Sequence, residues 1–114
     1  MEITREIELP APRDDVWEAL TDPERLEDWF ANEVELDATP GGRGRFRWAN
    51  GEERHAVVEQ IEPDERLVLR WDDEGRVELR LEETETGTRV LVRETSPEFS
   101  VALSLVALAA CARV

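Results

Sequence analysis

The residues of this sequence that could carry out nucleophilic chemistry are few. It contains one histidine, His55, and one cysteine, Cys111. A catalytic triad requires a histidine that takes a proton from a serine or cysteine nucleophile, and here those partners would have to come from other elements of the chain. We therefore interpret His55 as a strand residue near a turn, with a role in such a catalytic arrangement, or a polar contact to a ligand, as the alternatives.

Spacings typical of metal ligands or phosphate-binding loops are not found in the chain. One histidine, one cysteine and scattered carboxylates do not form a motif such as CxxC or HExxH, so the sequence predicts no metal and no other cofactor. The run Gly41-Gly42-Arg43-Gly44 lacks the Lys-Ser/Thr pair and the strand-to-helix context of a P-loop. We predict a hairpin turn at this run.

Two charged residues, Arg5 and Glu94, lie on the apolar side of their predicted strands. Alternate residues of a strand face the same side of a sheet, and Arg5 alternates with Ile3 and Ile7. Glu94 alternates in the same way with Val92. A charge that faces a core without compensation is costly, so we expect a mutual ion pair, or else a solvated cavity edge where both residues contact a ligand.

A further carboxylate, Glu59, depends on the register of its strand. Val57 and Val58 are adjacent and both suit a core, so a β-bulge is predicted at these two residues. If the bulge turns Glu59 inward, its buried carboxylate could act as a general base.

Large aromatic side chains are the residues best suited to bind a small apolar molecule. The sequence has four tryptophans and three phenylalanines. Their rings offer rigid apolar surface, and a tryptophan N–H can orient a bound molecule, although the same rings could simply fill the core, as we expect of Trp17. The predicted ligand-binding residues are Trp29, Phe30, Phe46, Trp48, His55, Trp71, Phe99, Leu103, Arg5 and Glu94.

The charge of the chain argues against several classes of partner. Fourteen basic residues and 28 acidic residues give a formal net charge of -14, with a pI near 4.4. Such a surface repels nucleic-acid phosphates and anionic lipids, so we expect neither a nucleic-acid nor a membrane partner. A single cysteine cannot form an internal disulfide, and a reducing cytoplasm is the expected compartment.

Hydrophobic periodicity predicts seven strands, two short helices after the first strand, and a helix at the C-terminus. Asp22 is the predicted N-cap of the second helix and Pro23 its first residue. The apolar run over residues 99–112 is shorter than the roughly 20 residues that span a bilayer, which favours a buried helix. The predicted strands cover about residues 2–9, 33–38, 43–48, 54–61, 67–72, 76–82 and 88–95, and the first and last helices about residues 12–20 and 97–112.

Short motifs follow one another along nearly the whole chain. An early group consists of Ala11-Pro12, Val16-Trp17, Leu20-Thr21-Asp22-Pro23, Leu26 and Trp29-Phe30. A later group consists of Pro40-Gly41-Gly42, Phe46, Ile61-Glu62-Pro63, Arg66-Leu67 and Trp71. In this order they resemble the START-like (SRPBCC) superfamily, and specifically its branch of homologues of the Hsp90 ATPase activator.

The resemblance implies an α+β helix-grip fold over a single domain, residues 1–114. In that fold a seven-stranded antiparallel sheet wraps around a C-terminal helix, two short helices lie between the first two strands, and an apolar cavity usually separates sheet and helix. The resemblance also implies that Trp29 and Phe30 lie near the cavity mouth and that the first and last strands are neighbours.

Three functions are compatible with this fold, because it supports many activities. The first is the binding of a small hydrophobic or amphipathic molecule between sheet and helix, without catalysis. The second is that of a co-chaperone or regulatory module, similar to the Hsp90 activator, which acts on a protein partner. The third is that of a polyketide cyclase or dehydratase, for which His55, Glu59, Arg5 and Glu94 are the available polar groups.

A homodimer is a further expectation from the sequence. The predicted terminal helix is apolar on nearly every side, whereas helices of the family are commonly longer and amphipathic at this position. Val68 and Leu91 also lie on the outward parity of their strands. Monomers seldom expose large apolar patches, so these surfaces predict self-association.

Overall fold

The computed structural model describes residues 2–71 and 75–95. The predicted C-terminal helix, with Phe99, Leu103 and Cys111, lies outside the described residues. The described elements are β1 (Glu2–Leu9), α1 (Arg13–Thr21), α2 (Pro23–Trp29), β2 (Glu33–Leu36), β3 (Arg43–Arg47), β4 (Glu53–Glu62), β5 (Arg66–Trp71), β6 (Arg76–Glu83) and β7 (Thr88–Thr95).

The strands form one antiparallel sheet in the order β1-β7-β6-β5-β4-β3-β2. Strands β2 to β7 are joined as successive hairpins, whereas β1 crosses to the far side and pairs with β7. These observations confirm the predicted seven-stranded antiparallel sheet with two helices between its first and second strands, and they confirm that the first and last strands are neighbours.

The second helix begins where the sequence predicts, and the first begins one residue later than predicted, at Arg13, with Pro12 as its N-cap. Asp22 caps α2, since its Oδ1 accepts a hydrogen bond from the backbone N–H of Glu24 at 3.0 Å, and Pro23 follows as the first helical residue. Both helices bury their apolar sides in one core with the sheet. The buried helical residues are Val16, Ala19, Leu20, Leu26 and Trp29.

Alternation gives the sheet two unlike faces. The side of the sheet that carries the buried apolar residues is called the inner face, and the opposite side is called the outer face. Ion pairs cross the outer face between neighbouring strands, for example Arg45 to Glu35 at 3.0 Å. The arginines of the outer face are Arg43, Arg45, Arg47, Arg66, Arg70, Arg76, Arg80, Arg89 and Arg93.

The β-bulge lies one position later than predicted. The register between β4 and β5 shifts between Val58 and Gln60, so that Glu59 is the extra residue. Its carboxylate lies 2.9 Å from Nε of Arg76 and 4.0 Å from Nε of Arg70, among the outer-face ion pairs. The prediction of Glu59 as a buried general base is therefore wrong, because the extra residue turns its side chain outward.

Val68 also differs from its prediction. It lies on the outer face opposite Gln60 and Glu78, yet it has 0% exposure. Glu78 forms an ion pair with Arg66 beside it, and such long side chains bury apolar surface along their stems. Val68 therefore adds no apolar patch for self-association, and that part of the homodimer prediction is wrong.

The turn before β7 approaches the end of β1 closely. The hydroxyl of Thr88 donates a buried hydrogen bond to the carbonyl oxygen of Ala11 at 2.7 Å. A Cβ atom added to Gly87 would overlap the carbonyl oxygen of Leu9. The absence of a side chain at Gly87 thus lets the β6–β7 turn pack against the chain that leads into α1.

We predict that Gly87→Ala destabilises the fold by about 1–3 kcal/mol, because the added methyl group forces the two backbone segments apart. Urea denaturation followed by far-UV circular dichroism measures this change. Thr86→Ala in the same turn is the control, and we expect it to stay within about 0.5 kcal/mol of the wild type, since Thr86 is exposed. Equal stability of Gly87→Ala and wild type would contradict the close approach.

Candidate functional site

Five of the predicted ligand-binding residues meet in one aromatic cluster, formed by Trp29, Phe30, Phe46, Trp48 and Trp71. Phe30 is its centre, with ring centroids 5.4 Å from Trp29, Phe46 and Trp48, and 6.5 Å from Trp71. The pairs with Phe46 and Trp48 are edge-to-face, at interplanar angles of 77° and 80°. This geometry is favourable for aromatic rings because the positive edge of one faces the negative face of the other.

Backbone contacts fix the position of Phe30. Its N–H bonds to the carbonyl oxygen of Leu26 at 2.8 Å and so closes the last turn of α2. Its carbonyl oxygen accepts a hydrogen bond from Nε1 of Trp48 at 2.7 Å, just beyond the end of β3. Phe30 therefore joins the end of the helix pair to the sheet.

Two indole N–H groups of the cluster, those of Trp29 and Trp48, hold parts of the fold together. Nε1 of Trp29 donates to the carbonyl oxygen of Ala19 at 2.8 Å, which ties α2 to α1. Nε1 of Trp48 donates to Phe30 as described. The N–H groups of Trp29 and Trp48 are thus both bonded to backbone carbonyl oxygens. These two rings therefore offer only apolar surface to another molecule.

The cluster covers a small apolar pocket. Its volume is about 20 Å³, close to the space that one water molecule needs. Phe30 is half-buried, whereas Trp29, Phe46 and Trp71 are buried at 8%, 1% and 4% exposure. The other described residues that line the pocket are Leu20, Leu26, Leu36, Leu67, Leu69, Val77 and Leu79.

His55 is not part of this cluster. It is exposed on the outer face, directly opposite Arg45, and its Nε2 lies 3.2 Å from the carboxylate of Glu53. With Arg43 and Arg70 it lines an open groove of about 330 Å³, which Trp71 also lines. The structure therefore places the one histidine on the other side of the sheet from the aromatic rings.

Arg5 and Glu94 lie on neighbouring strands, but not directly opposite each other. The register pairs Arg5 with Val92, and Glu94 with Ile3 and Val77. Arg5 is exposed, whereas Glu94 is buried at 2% exposure. None of the ion pairs among residues 2–71 and 75–95 joins Arg5 to Glu94, so the expected mutual pair is not formed there.

Arg54 is a charged residue of the inner face that the sequence analysis missed. It pairs with Phe46 in the register between β4 and β3, and it alternates with the buried Ala56 and Val58. The residue is half-buried, and its Nε atom is buried. The signal was available, because Arg54 shares the parity of two apolar neighbours, but it depended on knowing the register of β4.

The described part of the chain shows neither a metal-binding cluster nor a membrane-spanning helix. Residues 2–71 and 75–95 contain no group of three or more His, Cys, Asp or Glu side chains arranged to hold a metal ion. None of the helices found there combines the length and the apolar character needed to cross a membrane.

Phe46 and Phe30 differ in burial, and this difference predicts unequal effects of the same substitution. Phe46→Leu should lower the free energy of unfolding by about 1–3 kcal/mol, because its ring is enclosed and contacts both Phe30 and Trp71. Phe30→Leu should cost less, since part of that ring is in contact with solvent. Chemical denaturation measures both values, and an equal or larger loss for Phe30→Leu would contradict the assigned burial.

Solved structures share this fold. NE0264 from Nitrosomonas europaea aligns at a TM-score of 0.84 and 17% identity, over 99% of this chain and 94% of that one. An AHSA1-like protein from Aeromonas hydrophila aligns at 0.78 and 19% identity, over 99% of this chain and 87% of that one. DynU16, from the dynemicin biosynthetic locus, aligns at 0.82 and 27% identity, over 96% of this chain but 46% of its own.

Sequence comparison gives a more specific result. The model of the family "Activator of Hsp90 ATPase homolog 1-like protein" matches residues 10–103, which include α1, α2 and every residue of the aromatic cluster. No curated protein matches the sequence.

Proposed function

Because the chain belongs to the family of activator of Hsp90 ATPase homologue 1-like proteins, we propose that it binds a small hydrophobic or amphipathic molecule and performs no catalysis of its own. The site is the inner face of the sheet at the aromatic cluster, on the side where the C-terminal helix is predicted. The observation that carries the proposal is the half-buried ring of Phe30, which contacts four aromatic rings and covers an apolar pocket.

The size of the pocket indicates how a ligand would enter. A volume of about 20 Å³ holds nothing larger than water, so a ligand must displace a side chain. Phe30 is the ring best placed to move, because it is half-buried while Trp29, Phe46 and Trp71 are enclosed. A ligand ring that takes its place regains the same edge-to-face contacts, each worth about 0.5–1.5 kcal/mol.

The positions of two of the four candidate catalytic groups favour binding over catalysis. His55 and Glu59, which the sequence offered for proton transfer, both lie on the outer face with the sheet between them and the rings. A general acid or base must reach the reacting atom within hydrogen-bonding distance. A ligand held by the aromatic cluster would be out of reach of both.

One relative supports a small molecule as the binding partner. DynU16, at 27% identity, comes from a biosynthetic locus, which agrees with a small molecule as the partner. Action on a protein, as a co-chaperone similar to the Hsp90 activator, stays a prediction from the family name.

Toluene, a single apolar ring, is a suitable probe of this site. We expect toluene to shift the indole N–H signals of Trp29 and Trp48 in ¹H–¹⁵N NMR spectra of the wild type, and the shifts to saturate. Phe30→Ala should bind toluene about tenfold more tightly, because no ring then has to be displaced, and tenfold corresponds to about 1.4 kcal/mol.

Trp17→Ala is the matched control. Trp17 is a half-buried aromatic residue of α1 outside the cluster, and removing its ring should leave the affinity for toluene unchanged. If neither the wild type nor Phe30→Ala shows saturable shifts, or if Trp17→Ala gains as much affinity as Phe30→Ala, the proposed site is wrong.

A further inference from the structure

We infer from the position of Arg54 that the molecule bound at the aromatic cluster carries a carboxylate, and that Arg54 holds it. The inference rests on the proposed function, because it concerns the polar end of a ligand whose apolar end lies among the rings. It assigns a chemical class to the ligand: an aromatic or aliphatic ring system that bears a single carboxylate.

The register places Arg54 beside the cluster. Its partner across the strands is Phe46, and side chains directly opposite in an antiparallel pair have Cβ atoms about 4.5–5.5 Å apart. The ring of Phe46 in turn lies 5.4 Å from the rings of Phe30 and Trp71. A ligand ring in the place of Phe30 would therefore contact Phe46, the cross-strand neighbour of Arg54.

The chemistry of the guanidinium group suits a carboxylate. It is planar, it stacks on aromatic faces, and its five N–H donors match the two oxygens of a carboxylate in a bidentate pair. A carboxylate occupies two of these donors, so the group can hold a ligand in addition to the contacts that it makes within the protein. Its half-buried position strengthens such a pair, because water screens it less than at the surface.

Among the described residues, Glu94 is a buried charge on the inner face, and it would select the opposite head group. It lies on β7, three strands away from β4 in the sheet order, which corresponds to about 14 Å at about 4.8 Å per strand. One of its partners across the strands, Val77, lines the apolar pocket, but the partner of Arg54, Phe46, contacts Phe30 itself, the ring that a ligand would replace. A ligand that binds among the rings thus meets Arg54 before Glu94, and we assign it a carboxylate rather than an ammonium group.

The net charge of the protein opposes the predicted preference for a carboxylate over an ammonium group, so the preference can be recognised in binding data. A net charge of -14 attracts cations and repels anions at long range. Tighter binding of an anion than of the corresponding cation therefore runs against the overall field, and it requires a local cationic group.

Three probes with the same ring and chain test the inference: 3-phenylpropionate, 3-phenylpropionamide and 3-phenylpropylamine, which are anionic, neutral and cationic. Dissociation constants are measured by NMR titration of the wild type at about 0.15 M salt, where the Debye length is about 8 Å. We expect the carboxylate to bind about tenfold more tightly than the amide, since hydrogen bonds between charged groups are worth about that factor. We expect the amine to bind no more tightly than the amide.

Substitution of Arg54 separates its role from a merely structural one. Arg54→Gln should weaken binding of the carboxylate about tenfold and leave the amide within about twofold. Arg54→Lys should restore part of the loss, because it keeps the charge but not the bidentate geometry. Arg47→Gln is the matched control, since it removes the same charge from the neighbouring strand on the outer face, and it should change neither constant.

The outcomes distinguish this inference from the proposed function. If the amide binds as tightly as the carboxylate to the wild type, or if Arg54→Gln weakens both probes equally, the site stands but the carboxylate assignment is wrong. Tighter binding of the amine would favour Glu94 as the polar anchor and also overturn it. If none of the three probes shifts the indole signals of Trp29 and Trp48, the proposed function fails, and the inference fails with it.

Discussion

A single antiparallel sheet has two faces and can bury only one of them against its own chain, and this constraint organises the whole molecule. Alternation along the strands places most of the leucines, valines and aromatic rings on the inner face and the arginine–glutamate pairs on the outer face. The two short helices cover part of the inner face through Val16, Leu20 and Leu26. Within the described residues, the rings at the end of α2 cover a further part of that face.

Phe30 joins the helix pair to the sheet. The hydrogen bond from Trp48 holds its backbone to the sheet, while the hydrogen bond from Trp29 to Ala19 holds the helix pair together behind it. In Phe30 the backbone is held by hydrogen bonds, whereas the ring is only half-buried. The backbone contacts keep the cluster assembled, and the exposed part of the ring is where another apolar molecule can compete for the same neighbours.

How far the sequence predicts this structure depends on the kind of signal. Turn and cap residues are local, so Asp22 with Pro23 located the start of α2, and the pattern over residues 2–9 located β1. The position of the bulge is not local, because Val57 and Val58 both suit a core and only the pairing with β5 decides which residue is extra. The same uncertainty hid Arg54, whose face follows from the register of β4 alone. The burial of Val68 depends on the stems of neighbouring charged side chains, which no pattern of alternation describes.

The grouping of the tryptophans also determines what the protein emits under ultraviolet light. The chain has no tyrosine, so its intrinsic fluorescence comes from four tryptophans, and three of these lie in the cluster around Phe30. The fourth, Trp17, lies on α1 outside that group. Indoles this close to one another exchange excitation energy, so a change at any one ring alters the emission of the others. Tryptophan fluorescence therefore reports on the aromatic cluster, where the helices contact the sheet and where a bound molecule would lie.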